Sequence, residues 1–285
     1  MTKILITGAQ GQLAYELEQL AQHSVIALTR AQLDITQYDA VQKAVDTYQP
    51  DVVINTAAYT KVDAAEHNSE QAYAVNCLGA KNIALACEKN QIPLLHLSTD
   101  YIFDGSKNTP YLETDPASPI NIYGKTKWQG EEAVRSHCEK HIILRVSAVF
   151  GQHGQNFVKT ILRLAQEKET LRVVADQTMC PTPARAIAEA LFTIITMPRW
   201  GTYHYCGLPA VTWYDFAKRI VQLAKEQMPL HIKELEPITT ADFPTAAKRP
   251  ACSVLDCTQF EKNFGPIRPH WELGLKNVIT TLSTS

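Results

Sequence analysis

Little in this sequence points toward a polymer or a membrane. Its 27 Lys and Arg stand against 29 Asp and Glu, a formal net charge of -2 over 285 residues, so there is no basic field to gather nucleic acid. No apolar run reaches the length that a membrane-spanning helix needs. The first apolar run, Ile4-Leu5-Ile6, begins at once, as expected of a chain with no signal peptide. Repeats and low-complexity tracts are absent. Seven cysteines are present but no Cys-x-x-Cys pair, and Cys77, Cys87 and Cys206 lie in apolar surroundings. These are expected to be buried or partly buried free thiols of a cytoplasmic protein, with neither a disulfide framework nor a zinc site.

What the chain does have is alternation. Ile4-Leu5-Ile6-Thr7, Val25-Ile26-Ala27-Leu28, Val52-Val53-Ile54-Asn55, Leu94-Leu95-His96-Leu97 and Ile142-Ile143-Leu144-Arg145-Val146 read as strands. Helical patterns run over 12–22, 38–48, 70–90 and 125–137, the third with Ala72, Val75, Leu78 and Ile83 on its apolar side. Near-continuous apolar strands alternating with helices imply an α/β fold, a Rossmann doubly wound parallel sheet covered on both faces. After Gly151 the pattern loosens into helices over 156–166, 182–196 and 213–226, short strands at 171–174 and 203–205, and a Pro-rich tail. This predicts a smaller α+β substrate-binding lobe, partly interleaved with the sheet. The expected division is 1–150 plus about 184–206 for the sheet domain, and about 151–183 with 207–285 for the lobe. Residues 104–118, rich in Pro, Gly, Ser, Asn and Asp, read as a surface loop.

Gly8-Ala9-Gln10-Gly11-Gln12-Leu13-Ala14 follows the first strand and opens the first helix. Gly8 permits a tight turn. Gly11 lets a pyrophosphate approach the backbone at a helix N-terminus, where unbonded N–H groups and the dipole favour an anion. Ala14 stands where a third glycine is usual, which asks for slightly looser helix–strand packing. A purely structural turn is the alternative. On the nucleotide reading, Gly8, Gln10, Gly11, Gln12 and Leu13 are candidate contacts for NADPH or NADH. The second strand ends in Thr29-Arg30, not in an acidic residue that would bind the ribose of NAD. Arg30 suits the 2′-phosphate of NADP, which favours NADPH, although it also fits an ordinary surface position. Asp34, with Ile35 beside it, can still turn toward the adenosine.

Tyr123-Gly124-Lys125-Thr126-Lys127 sets a phenol and an ammonium four positions apart on one helix face, with Ser98-Thr99 upstream. An ammonium beside a phenol lowers its pKa, so the phenol is expected to exchange a proton with a carbonyl oxygen near neutral pH. The spacing alone also describes a solvated helix face; the nucleotide turn in the same chain gives it weight. Asn76 and His96 are read as buried polar groups satisfied by their surroundings, not as bases.

With these pieces assembled, the chain resembles the extended short-chain dehydrogenase/reductase superfamily and, within it, the dTDP-4-dehydrorhamnose reductase family. The resemblance runs nearly end to end. It rests on Gly8 to Leu13, on Asn55-Thr56-Ala57-Ala58-Tyr59-Thr60-Lys61-Val62-Asp63-Ala64-Ala65-Glu66, and on Ser98-Thr99-Asp100-Tyr101-Ile102-Phe103-Asp104-Gly105, the most specific block. Asn121 to Lys127, the Pro181-Thr182 step, Gly201 to Tyr205 and Lys248-Arg249-Pro250 also match. The resemblance implies a catalytic trio of Thr99, Tyr123 and Lys127. Thr99 would hydrogen-bond a keto oxygen, Tyr123 would protonate it as hydride arrives, and Lys127 would hold the nicotinamide ribose. Ala57, Ala58 and Tyr59 would line the cofactor, and Lys61, Val62, Asp100 and Tyr101 would meet a dTDP-sugar substrate.

Three departures stand out. Ala148 occupies the place where the family usually carries a Trp that stacks on the sugar, and Met179-Cys180 replace small residues. Some members dimerise through magnesium held by clustered carboxylates; Glu16 and Glu189 fit such a cluster, but residues 274–285 contain no acidic side chain. Magnesium is therefore not expected, and the chain is read as a monomer or homodimer. A 4,6-dehydratase would carry a carboxylate base where Tyr101 stands, and an epimerase would retain NAD. Reduction of a nucleotide-linked 4-keto sugar fits best, with cell-surface polysaccharide as the implied destination. A non-catalytic NADP-binding subunit, similar to the regulatory subunit of methionine adenosyltransferase, is the rival from another class.

Overall fold

The computed structural model describes residues 2–20, 23–266 and 268–284. Its centre is a six-stranded sheet built from β1 (Lys3–Thr7), β2 (Ser24–Leu28), β3 (Val52–Asn55), β4 (Leu94–Thr99), β5 (His141–Val146) and β10 (Gly201–His204). The order is β10-β5-β4-β3-β1-β2, and every pairing is parallel. Along β1 successive side chains part to opposite faces, as the pleat requires. Ile4 and Ile6 join α1 (Gln12–Leu20) and α8 (Ala184–Thr196) in one core; Leu5 joins α2 (Tyr38–Tyr48), α5 (Ala80–Lys89) and α6 (Ile122–His137) in the other. The strand order reverses beside β1, and the crevice outside the strands' carboxyl ends at such a switch point is where open α/β sheets bind ligands. Thr7, Asn55 and Thr99 end the strands there.

Between β3 and α5 lie α3 (Val62–His67) and α4 (Ser69–Tyr73); past β5 come β6 (Val149–Phe150), α7 (Phe157–Glu167), β7 (Thr170–Val174), β8 (Thr178–Met179) and β9 (Thr182–Pro183). After β10 follow β11 (Val211–Thr212), α9 (Trp213–Lys225), β12 (Glu234–Ile238), α10 (Thr258–Phe264) and α11 (Trp271–Ser283). A third core gathers Val158, Leu171, Phe216, Ile220, Leu275 and Ile279 from α7, β7, α9 and α11. The Pro-rich tail holds more order than its composition suggests. It supplies β12, which pairs with β7, and α10, whose Phe260 and Phe264 lean edge-on to Tyr203 of β10.

Several expected elements differ at their ends. The first helix is described to Leu20; Ala21 and Gln22 lie outside the described residues. The long helix expected over 70–90 is interrupted by a π turn at Ala74–Gly79. The wider turn advances the phase of the helix, so Asn76 is buried while Leu78, expected on the apolar side, is 40% exposed. The next helix starts at Ile122, before the expected 125, because Asn121 caps it: Gly124 N–H donates to Asn121 Oδ1 at 2.7 Å. All seven cysteines are free and, Cys252 aside, buried. No helix among the described residues is long and apolar enough to cross a membrane.

Candidate active site

The nucleotide turn sits at the end of β1. Gly8 has φ +79°, and a Cβ there would lie 2.8 Å from Ala57 Cα, so the turn presses directly on the loop after β3. Gly8 and Ala9 N–H donate to Leu28 O at 3.0 and 3.1 Å, which closes the turn against β2. Gln10 and Gly11 are exposed, Gln12 opens α1 with its amide oxygen accepting from Asn156 Nδ2 (2.9 Å), and Leu13 is buried. The exposed Gly11 in front of the α1 N-terminus is an open backbone surface of the kind a pyrophosphate needs. Arg30 is exposed and makes no hydrogen bond or ion pair among the described residues, which leaves its guanidinium open to a phosphate. Asp34 is more committed: its Oδ1 accepts from Thr36 N (3.0 Å) and Thr36 Oγ1 (2.8 Å) in a turn before α2, and these bonds hold its carboxyl below the usual range. The Ile35 side chain is buried beneath Gly79 in the core, and its backbone O accepts from Asn82 Nδ2 (3.0 Å).

The loop Ala57-Ala58-Tyr59 is tied to α6 through Asn76. Tyr59 N–H donates to Asn76 Oδ1 (2.8 Å), while Asn76 Nδ2 donates to Tyr59 O (3.2 Å) and Thr126 Oγ1 (3.0 Å). Asn76 is thus satisfied, as expected. His96 is only half so: Asn55 Nδ2 lies 3.0 Å from its Nδ1, and its Nε2 has no partner. Burial holds its pKa well below the usual value, so the ring is neutral.

On α6 the phenol of Tyr123 and the ammonium of Lys127 stand one turn apart. The phenol is not acidified as expected: burial pushes its pKa up to about 12, with the nearby Asp100 charge in the same direction and a hydrogen bond with Thr99 opposing. The physical reason for the difference is that Lys127 is aimed elsewhere. Its buried Nζ donates to Leu97 O at 2.6 Å, and burial brings its pKa down to about 8, with Glu131 one turn further on acting against the fall. Glu131 is itself fully buried and gripped by Arg145 (Nε 3.0 Å to Oε1, Nη2 2.8 Å to Oε2) and by Arg135 (2.6 Å). Spacing on α6 offered a signal for Glu131, four positions after Lys127; nothing marked Arg145 as its partner.

Thr99 and Asp100 are both buried. Thr99, expected to hydrogen-bond a keto oxygen, instead spends its one proton within the fold: its Oγ1 donates to Asp100 Oδ1 (3.1 Å) and accepts from Tyr101 N–H (3.1 Å). Asp100, expected against the sugar, is turned inward, with Oδ2 accepting from Ser147 Oγ at 2.7 Å. Tyr101 is half-buried, edge-on to Tyr123 with ring centroids 5.8 Å apart. Lys61 is exposed just before α3, and Val62 is half-buried at its start. Beside them runs the 245–250 segment. Arg249 forms a two-pronged ion pair with Asp63 (Nη1–Oδ1 3.1 Å, Nη2–Oδ2 2.6 Å), and Asn121 Nδ2 donates to Lys248 O (2.8 Å). The structure therefore gathers Thr99, Tyr101 and Tyr123 at the carboxyl end of β4, with Arg249 added from far along the chain.

A family model for the RmlD substrate binding domain matches residues 1–284. The dTDP-4-dehydrorhamnose reductase of Aggregatibacter actinomycetemcomitans is 44% identical, over 98% of this chain and 98% of its own length. The chain belongs to the dTDP-4-dehydrorhamnose reductase family. Two solved reductases of this family superpose with TM-scores of 0.93. That of Clostridium acetobutylicum is 38% identical, and that of Bacillus anthracis, solved in complex with NADP, is 35% identical; each comparison covers 98% of this chain and 99% of the other. In this member of the reductase family, Ala148 adopts φ +42°, a left-handed conformation uncommon for a residue with a Cβ, and its O accepts from Thr182 N–H (3.2 Å). Met179 and Cys180 are buried core residues. Glu189 pairs with Arg185 (3.3 Å), and among the described residues no group of three or more His, Cys, Asp or Glu is placed to hold a metal ion.

Proposed function

We propose that this chain reduces the C4 keto group of dTDP-4-dehydro-L-rhamnose to give dTDP-L-rhamnose, using NADPH, as a cytoplasmic step toward cell-surface polysaccharide. The observation that carries the chemistry is the placing of Tyr123 one helix turn from Lys127 and against Tyr101 at the carboxyl end of β4, in a sheet whose β1 ends in a glycine turn with a dinucleotide's requirements. On this reading the sheet domain, residues 1–150 with about 184–206, carries the coenzyme, and the remaining lobe closes over the sugar nucleotide.

Bound NADPH supplies the hydride. Gly8, Gln10, Gly11, Gln12 and Leu13 hold its pyrophosphate, Arg30 its 2′-phosphate, Asp34 and Ile35 the adenosine edge, and Ala57, Ala58 and Tyr59 the side of the dinucleotide near β3. Lys127 holds the nicotinamide ribose. Lys61, Val62 and Tyr101 face the sugar nucleotide. As negative charge builds on the C4 oxygen, Tyr123 gives it the phenolic proton. A phenol with a pKa near 12 is protonated throughout the neutral range, and an alkoxide is basic enough to take its proton.

The test is NADPH oxidation with the 4-keto sugar nucleotide, wild type against Tyr123→Phe. The variant should lose about 10²–10⁴-fold in kcat and keep its NADPH affinity. Undiminished turnover in Tyr123→Phe would remove Tyr123 as the proton donor. NADPH binding by the wild type without turnover would favour a regulatory subunit instead.

A further inference from the structure

Three acidic residues are buried among the described residues: Glu16, Asp100 and Glu131. Glu131 faces Arg145 and Arg135, and Glu16 faces Arg185. Asp100, only 3% exposed, faces no cation; its partners are the hydroxyls of Thr99, Ser147 and Ser253, with the phenols of Tyr101 and Tyr123 nearby. A carboxylate without a cation is expensive to bury, and the sheet does not need one here. Thr99 and Val146 are register partners of β4 and β5, so Asp100 and Ser147 are the next residues beyond the two strand ends.

Burial raises the pKa of Asp100, and the hydroxyls of Ser253, Ser147 and Thr99 act against the rise by donating to the ionised form, which only accepts, so each of them turns its one proton inward. For Thr99 this settles the rotor. The proton goes to Asp100 Oδ1, one lone pair receives the Tyr101 N–H, and the other is left for the Tyr123 phenol. Ser147 donates to Asp100 Oδ2 at 2.7 Å and accepts from Cys180 N–H at 3.4 Å; Ser253 comes from the C-terminal segment, its N–H on Thr178 O at 2.9 Å.

We propose that Asp100 is a positioning residue of the reduction: it fixes the Thr99 hydroxyl as an acceptor and so aims the Tyr123 proton, while Ser147 at the end of β5 and Ser253 of the C-terminal segment hold its carboxyl group in place. This rests on the reading of Tyr123 as the proton donor. In reduction assays Asp100→Asn, close in shape but able to donate, should lower kcat about tenfold or more, with both KM values and the NADPH Kd within about twofold. Ser147→Ala should lower kcat about threefold or more, and the double variant should be no slower than Asp100→Asn alone, because the serine acts through the carboxyl group. A purely structural role would instead move KM, Kd and kcat together. Full kcat in Asp100→Asn, or losses that multiply in the double variant, overturns the proposal while leaving the reductase reading intact. Absence of turnover in the wild type overturns both. If Asp100→Asn does not fold, Ser147→Ala and Ser253→Ala carry the test, since both keep the carboxyl group; full kcat in both overturns it.

Discussion

Lys127 holds a positive charge where the fold gives it almost no solvent and one carbonyl partner, Leu97 O. Its pKa falls from 10.5 to about 8, so between those values the unfolded chain binds a proton that the folded chain has released. Stability therefore rises with pH across that window, and below pH 8 the buried charge destabilises the fold by about 3 kcal/mol. Lys127→Met should thus raise Tm at pH 7, by a margin that shrinks by pH 9.5, while turnover is lost. Thermal unfolding of both proteins at the two pH values checks this; an equal gain at both would mean that packing, not charge, is responsible. The placing of Tyr123 and Lys127 on one helix and the Gly8 turn were legible because each follows from spacing along one element. The state of the phenol was not, because it depends on burial and on Thr99 and Asp100, which the fold brings from another strand. Ser147 carried no signal at all, since its role exists only where β4 and β5 end side by side.

At the scale of the element, α6 is seated by what it lacks. A Cβ on Gly124 would run into the carbonyl oxygen of Tyr101, so the first turn of α6 reaches the turn after β4 only because the residue after Tyr123 has no side chain. Ile122 N–H is held by Glu66 Oε1 (2.8 Å) of α3 and the Asn121 cap by Lys248 O (2.8 Å). Gly124→Ala adds good intrinsic helix propensity, yet backbone must move to admit the methyl. We expect a stability loss of about 1–3 kcal/mol and a drop in kcat larger than that of a Lys125→Ala control at the neighbouring, exposed position of the same helix. Equal stability and kcat in the two variants would show that α6 is not seated this way. The same contacts explain which helix boundaries could be read in advance. Tyr38–Tyr48 follows local periodicity and matches residue for residue. The start of α6 follows the Asn121 cap, which Lys248 O and the Glu66 bond to Ile122 reinforce, and the π turn at Ala74–Gly79 answers to Tyr59 and Thr126; apolar periodicity reports neither.

At the scale of the molecule, the sheet and the C-terminal segments are laced together by residues far apart in the chain. The sheet was readable because its strands are short apolar runs at regular spacing; the tail was not, because its elements are brief and broken by proline. Yet the tail returns to the site. Arg249 grips Asp63 of α3, Ala247 N–H donates to the same carboxylate (3.1 Å), and the guanidinium lies beside Tyr101. The pair is part-exposed, Arg249 22% and Asp63 46%, so it contributes at most about 1 kcal/mol to folding. Its larger consequence is positional: it holds the 245–250 segment over α3 beside Tyr101, the residue proposed above to face the sugar nucleotide. Arg249→Met should therefore raise KM for the sugar nucleotide about three- to tenfold, leave the NADPH Kd within about twofold, and shift Tm by only a few degrees. Asp63→Asn should reproduce the effect, and the double variant should add little, because each partner is already idle once the other is gone. NADPH binding by fluorescence and steady-state kinetics on the four proteins separate the outcomes. An NADPH Kd that rises in step with the sugar KM would show that the strap braces the whole cleft, not the sugar side alone.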